Sequence, residues 1–146
     1  MSPGDWLLFF RAIPLLVTGS FLQRAIPMTT WGHLLGTPGP VPESLRKAPR
    51  ETELSGEPHR IYKAIARGST VLPWTPSCLA QAFAAQRILH SRGDSGDVLI
   101  GLQLSGDARW PAHAWLVWQG QTVTGGQALG QFTPATLYRF DPPSMS

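Results

Sequence analysis

The sequence of 146 residues holds a single cysteine, Cys78. One thiol excludes an internal disulfide and a cysteine-rich zinc site, and it fits a reducing compartment, so a cytoplasmic location is expected. Charge is also scarce. Charged residues make up 14% of the chain, against about a quarter in ordinary domains. The basic residues behind the net charge of +3 are scattered, from Arg46, Lys47 and Arg50 to Arg60, Lys63, Arg67, Arg87 and Arg92. No tight basic run interleaved with aromatics occurs, so no nucleic-acid partner is expected. The four histidines are far apart, with no clustered carboxylate, and fit no usual zinc spacing. No GxxxxGK phosphate loop is present. No metal, cofactor or ATP site is therefore expected. The apolar N-terminal segment lacks a long unbroken run: its longest uncharged stretch is Ala12 to Gln23, short of the roughly 18 apolar residues of a membrane span. The opening MSPGD lacks the positive region of a secretory signal. One or two core-packing helices are expected here, with membrane-surface or partner contact the lesser reading.

Proline and glycine are plentiful, and many fall between Thr37 and Pro58. This stretch reads as a connection and divides the chain into two parts. Residues 1–58 comprise apolar helices and the connection; residues 59–146 form the second domain. Residues 59–72 place Ile61, Ile65, Ala64 and Tyr62 along one helical face. A further helix is expected over 75–93, capped by Thr75 or Ser77, with Pro76 in its first turn and Gly93 as its left-handed stop. Its apolar stripe is Leu79, Ala82, Phe83, Ile88 and Leu89. Four strand-like runs follow: 97–104, 112–118, 121–125 and 132–140. Gly101 reads as a bulge or a close backbone approach, and Pro134 marks the last run as an edge strand. One helix followed by sequential strands predicts an α+β fold with an antiparallel sheet. A two-residue turn at Gln119-Gly120 would set Trp118 opposite Gln121, Trp115 opposite Thr124 and His113 opposite residue 126.

Cys78 lies on the first turn of the predicted helix. A helix N-terminus lowers a thiol pKa, and its free N–H groups can hold an oxyanion. The base must come from another segment. His90 is about three turns from Cys78 and out of reach, while His33 and His59 lie in the N-terminal half. His113 is left, in a strand able to pack beside the helix, with small neighbours Ala112 and Ala114. The plain alternative is a buried cysteine and a strand histidine that serve only packing.

The ordered pieces LPWTPSCLAQAFAAQRILHSRG, VLIGLQL, AHAWLVWQGQTVTGG and QFTPATLYRF resemble the leader peptidases of lasso peptide biosynthesis. These are transglutaminase-like, papain-related cysteine hydrolases. The resemblance runs from about Ile61 to Phe140. It rests on Pro73-Trp74 ahead of Ser77-Cys78-Leu79, on Arg92-Gly93, and on His113-Ala114-Trp115. It implies a papain-like α+β fold in which Cys78 attacks the scissile carbonyl of a precursor peptide. His113 would take the thiol proton and return it to the leaving amine. It also implies a small leader-recognition protein and a separate lasso cyclase as partners. Trp74 and Trp115 would line the peptide cleft or fill the core.

One departure stands out. The family triad places an Asp on the strand after the His strand, and QTVTGG has no carboxylate there. Thr124 or a backbone carbonyl would have to orient His113, with Asp97, Asp107 and Asp141 as alternatives. Loss of the triad carboxylate costs a serine protease about 10⁴ in turnover. Two rival readings follow: a catalytically inactive module that binds the precursor or the cyclase, and an acyltransferase or deamidase built on the same pair.

Overall fold

A computed structural model describes residues 2–43, 54–102, 112–125 and 133–140. Helix α1 (Pro3–Ala25) starts on a capping box. The Ser2 hydroxyl accepts the Asp5 N–H, and the Asp5 carboxylate accepts the Ser2 N–H, both at 3.2 Å. These two bonds satisfy donors that a helix start leaves unpaired. Pro14 does not end this helix. It lies on the solvent side together with Phe10, whose carbonyl would otherwise take the missing fourth-residue bond, so that carbonyl stays accessible to water. The apolar N-terminus is thus one long helix, followed by the short α2 (Met28–Trp31) and a 3-10 turn at Gly32–Leu34.

Helix α3 (Gly56–Val71) buries Ile61, Ala64, Ile65 and Gly68. Tyr62, expected on that face, is exposed and stacks on His59; one residue from Ile61 is 100° around the helix, too far to share the stripe. Helix α4 (Cys78–Ser91) is capped by Ser77, whose hydroxyl accepts the Ala80 N–H at 3.1 Å. Pro76 therefore precedes the cap and lies outside the first turn. Arg92 closes the helix, and Gly93 adopts φ +80°, a backbone that a Cβ would strain.

The sheet runs in the order β1-β5-β2-β3-β4, and each neighbouring pair is antiparallel. Its strands are β1 (Thr37–Gly39), β2 (Asp97–Leu102), β3 (Ala112–Trp118), β4 (Gln121–Thr124) and β5 (Thr133–Arg139). Strand β1 falls inside the stretch read as a connection. It pairs with β5, so β5 is not the edge strand that Pro134 suggested. The reason lies in lengths. The three residues of β1 face only Leu137–Arg139, so β1 leaves the Pro134 end of β5 uncovered, and a missing N–H costs no ladder bond with β1 there. The register between β2 and β5 shifts between Ile100 and Gly101, the irregularity that Gly101 predicted.

α1 packs on both α3 and α4, and α4 packs on β3. One cluster joins Leu8, Ala12 and Leu16 of α1, Leu35, Ile61 and Ile65, Phe83, Ile88 and Leu89 of α4, and Val98, Leu116 and Val123 of the sheet. Each fully buried Leu or Ile contributes roughly 1.5–3 kcal/mol. The segments on either side of residue 58 thus share one core. A smaller cluster of Val41, Leu99, Trp115, Val117 and Leu137 includes the alternate residues of β2 and β3, as period-two strands require. The fold is α+β, with the cysteine-bearing helix against an antiparallel sheet and an apolar helix at the N-terminus.

Candidate active site

Cys78 is the first residue of α4, half-buried, and its neighbours are set by the end of β4. The β3–β4 turn at Gln119-Gly120 forms as expected, with Trp118 opposite Gln121 and Val117 opposite Thr122. The register then slips: Leu116 faces Thr124, leaving Val123 as an extra residue in β4. Trp115 therefore does not face Thr124. A bulge of this kind re-aims whatever follows it. Here it delivers Gly125 to His113, and the ring Nε2–H donates to the Gly125 carbonyl at 2.7 Å. Gly125 is buried with φ +73°, and a Cβ there would come within 2.9 Å of the Trp115 Cβ and strike the Ala114 carbonyl oxygen. Only glycine fits this position.

A carbonyl can only accept, so the bond to Gly125 fixes the hydrogen of the neutral ring on Nε2 and leaves the lone pair on Nδ1. The same ring lies beside Cys78 and interacts with its thiol, each shifting the other's pKa. The Ala114 N–H also donates to the sulfur, at 3.3 Å. In an extended strand the N–H and C=O of one residue point to the same side. The Ala114 carbonyl abuts Gly125, so its amide points past the end of β4, and Cys78 lies there.

Burial pushes the Cys78 thiol pKa up. The hydrogen bond to His113, the Ala114 N–H, the imidazole charge and the Leu79 N–H together outweigh it, and the net direction is down. His113 is held above its ordinary value, first by its bond to Cys78, against burial, with help from the Gly125 carbonyl. The two shifts have opposite signs and both favour a thiolate beside an imidazolium.

Among the other expected site residues, Thr124 is buried and its hydroxyl has no hydrogen-bond partner among the described residues, whereas the Gly125 carbonyl orients the ring. Asp97 forms an ion pair with Arg139 at 2.5 Å and sits opposite Val117, four residues along β3 from His113. It does not orient the ring. Asp107 and Asp141 lie outside the described residues. Trp115 is 4% exposed and stacks near the His113 ring, with centroids 5.9 Å apart; it backs the histidine rather than offering an open surface. Trp74 is half-buried, and its indole N–H donates to Ser20 on α1 at 3.1 Å. His90 is exposed and stacks on Phe140, and His33 bonds the Thr30 carbonyl.

Two residues went unnoticed in the sequence. The carboxamide oxygen of Gln23, near the end of α1, accepts from the Ser77 hydroxyl, tying α1 to the cap beside Cys78. Gln86 is fully buried within α4. Its amide donates to the Leu35 and Gly96 carbonyls at 2.8 and 2.9 Å, and its oxygen accepts the Gly96 N–H at 2.9 Å. The signal for Gln86 was available: a polar residue on the otherwise apolar stripe of a helix. No grouping of three or more metal-ligating side chains occurs among the described residues.

A search of family models matches residues 23–136 to the transglutaminase-like superfamily. The chain belongs to the transglutaminase-like superfamily. The matched span runs from Gln23 through Cys78, His113 and Gly125 into β5, so the whole candidate site of this transglutaminase-like domain lies inside it. No curated protein and no solved structure matches the chain.

Proposed function

We propose that this transglutaminase-like domain is a cysteine peptidase that removes the leader from a ribosomally made lasso peptide precursor. The observation that supports catalysis is the pairing of the Cys78 sulfur with the His113 ring at a helix N-terminus, with the other ring nitrogen held by Gly125. In this reading the Cys78 thiolate attacks the scissile carbonyl carbon, and the N-terminal turn of α4 offers N–H groups to the developing oxyanion. The His113 imidazolium gives its proton to the leaving amine, which departs as the new N-terminus of the core peptide. His113 then takes a proton from water, whose oxygen displaces the thiolate and frees the leader as an acid.

The lasso precursor as substrate rests on the ordered resemblance from Pro73-Trp74 to the β5 segment. The same resemblance supports a small leader-recognition protein, a separate cyclase and a cytoplasmic location. Leader capture by such a partner would raise the effective concentration of the scissile bond. The test combines precursor, leader-binding protein and this chain, followed by mass spectrometry. Cleavage to a free leader acid that stops with iodoacetamide and with Cys78→Ala is expected. Cleavage that survives both treatments overturns the thiol mechanism.

One observation favours a second reading, an inactive module that binds precursor or cyclase. The acceptor on Nε2 of His113 is the uncharged Gly125 carbonyl, which stabilises an imidazolium less than a carboxylate at that nitrogen would. In that case the wild-type chain leaves the precursor intact yet still binds it.

A further inference from the structure

The large apolar side chains left exposed among the described residues lie on two helices only. Trp6, Leu7, Phe10, Val17 and Phe21 are on α1, and Tyr62 and Val71 are on α3. Leu7, Phe10 and Phe21 are each at least 60% exposed. With Pro14 and Val17 they follow spacings of three, four, three and four residues, forming one straight stripe roughly 21 Å long at the helical rise. Trp6, Phe9 and Phe10 pack ring against ring at its N-terminal end. Thr18 borders the stripe, but its hydroxyl donates back to the Pro14 carbonyl at 2.8 Å, so it does not demand water. No charged side chain falls inside the stripe; Arg11 and Arg24 lie on its two borders at helical spacing.

The charge around it is one-sided. Helices α1, α3 and α4 carry Arg11, Arg24, Arg60, Lys63, Arg67 and Arg87 against only Asp5 and Glu57. Both acids are already tied up by Arg60, and Glu57 also by Arg92. Gly68 of α3 touches Ala12, Ile13 and Leu16 of α1, and Ile61 and Ile65 face the core. The outer shoulder of α3 beside α1 therefore carries Lys63, Arg67 and the exposed Val71.

We propose that α1 is an in-plane membrane anchor, its Leu7-Phe10-Val17-Phe21 stripe seated at the headgroup–acyl boundary of an anionic bilayer. Arg11, Arg24, Lys63 and Arg67 meet the lipid charge around it. Basic flanks on an aromatic-rich apolar face suit such a surface. A second copy of the chain would bring the same positive flanks together. By length and composition α1 could also cross a membrane, yet its other face buries Leu8, Ala12 and Leu16, and Gly19 lies against Ala80 and Phe83. Withdrawing it would open the core, so it lies on the bilayer and does not span it.

The test is co-sedimentation of the full chain with phosphatidylglycerol-containing and pure phosphatidylcholine vesicles, at low and physiological salt. Binding about tenfold tighter to the anionic vesicles is expected, weakening with salt. Phe10→Ser with Phe21→Ser should cut binding about tenfold or more, and Lys63→Glu with Arg67→Glu should remove the preference for anionic lipid. Circular dichroism checks that these surface variants fold. Equal binding to both vesicles, no binding to either, or unchanged binding by the Phe pair overturns the proposal. So does a wild-type dimer that the Phe pair converts to monomer, which would assign the stripe to a second copy. The alkylation rate of Cys78 stays the same in every variant, so failure of the anchor and failure of the thiol chemistry are separate results.

Discussion

At the scale of single residues, the site turns on which atom holds the imidazole. Gly125 offers a carbonyl from a backbone that no other residue can adopt there, whereas the buried Thr124 hydroxyl has no partner among the described residues. Gly125→Ala must shift the carbonyl off Nε2 and is expected to lower kcat/KM by about tenfold or more, given the scale of contributions from oriented bases. Thr124→Val keeps the shape and removes a hydroxyl that has no partner among the described residues. It should leave turnover near wild type and stability unchanged or higher by about 1 kcal/mol. Parallel turnover assays and thermal melts of the two variants decide this. The pKa shifts make a second prediction. The Cys78 thiol is lowered from its ordinary value, His113 being the largest lowering cause, so its alkylation midpoint should lie on the acid side of an unperturbed thiol. His113→Ala removes the opposing hydrogen bond and charge and leaves the burial, so the midpoint should rise. Iodoacetamide rates across pH, read by mass, would measure both. The sign for stability follows. The Cys78 contribution is present above the unfolded thiol pKa and is lost as pH falls through the lowered folded value. The His113 contribution is present below its unfolded value and is lost as pH rises through the raised one.

At the scale of elements, α4 is placed by its ends as much as by its stripe. Ser77 caps it, accepts the Ala80 N–H and donates to Gln23 of α1. Ser77→Ala removes both bonds one residue from the nucleophile. A loss of about 1 kcal/mol is expected, as for other cap deletions, and chemical denaturation would measure it. Helix α4 and strand β3 were legible in the sequence nearly to the residue, because a stripe at helical spacing and a run of Ala, Trp, Leu and Val each follow one period. The bulge at Val123 was not legible. Nothing in QTVTG distinguishes an in-register ladder from one with an extra residue, since that choice depends on what lies across from it. The same slip hid Gly125 and made Thr124 look like the partner of the histidine. Strand β1 was hidden for a related reason: in Thr-Pro-Gly the strand preference of one Thr is outweighed by Pro and Gly, and pairing with β5 makes them a strand.

At the scale of the molecule, Gln86 joins parts that are distant in the chain. Its one side chain satisfies the Leu35 carbonyl, which follows the 3-10 turn, and both backbone groups of Gly96, which leads into β2. Gln86→Leu would strand these three buried groups. The expected cost is about 2–4 kcal/mol, seen as a lower denaturation midpoint with an unchanged m-value. The replacement is as good a helix former and more apolar, so the sign of this effect tests whether the network outweighs burial. Helix α1 poses the complementary problem: its inner face completes the core, and its outer face is as apolar as its inner one.

The sequence alone marked the helices around Ile61 and Cys78 and the strands β2 to β5, and it singled out Cys78 and His113 as the pair to watch. Apolar periodicity and capping are local and survive in one dimension. Only the tertiary structure decided that the Gly125 carbonyl holds Nε2 of the histidine, that the N-terminal helix belongs to the same core, and that half of that helix faces outward. Those outcomes depend on which surfaces meet across a bulged edge and a helix groove, and a sequence does not encode such meetings at any single position.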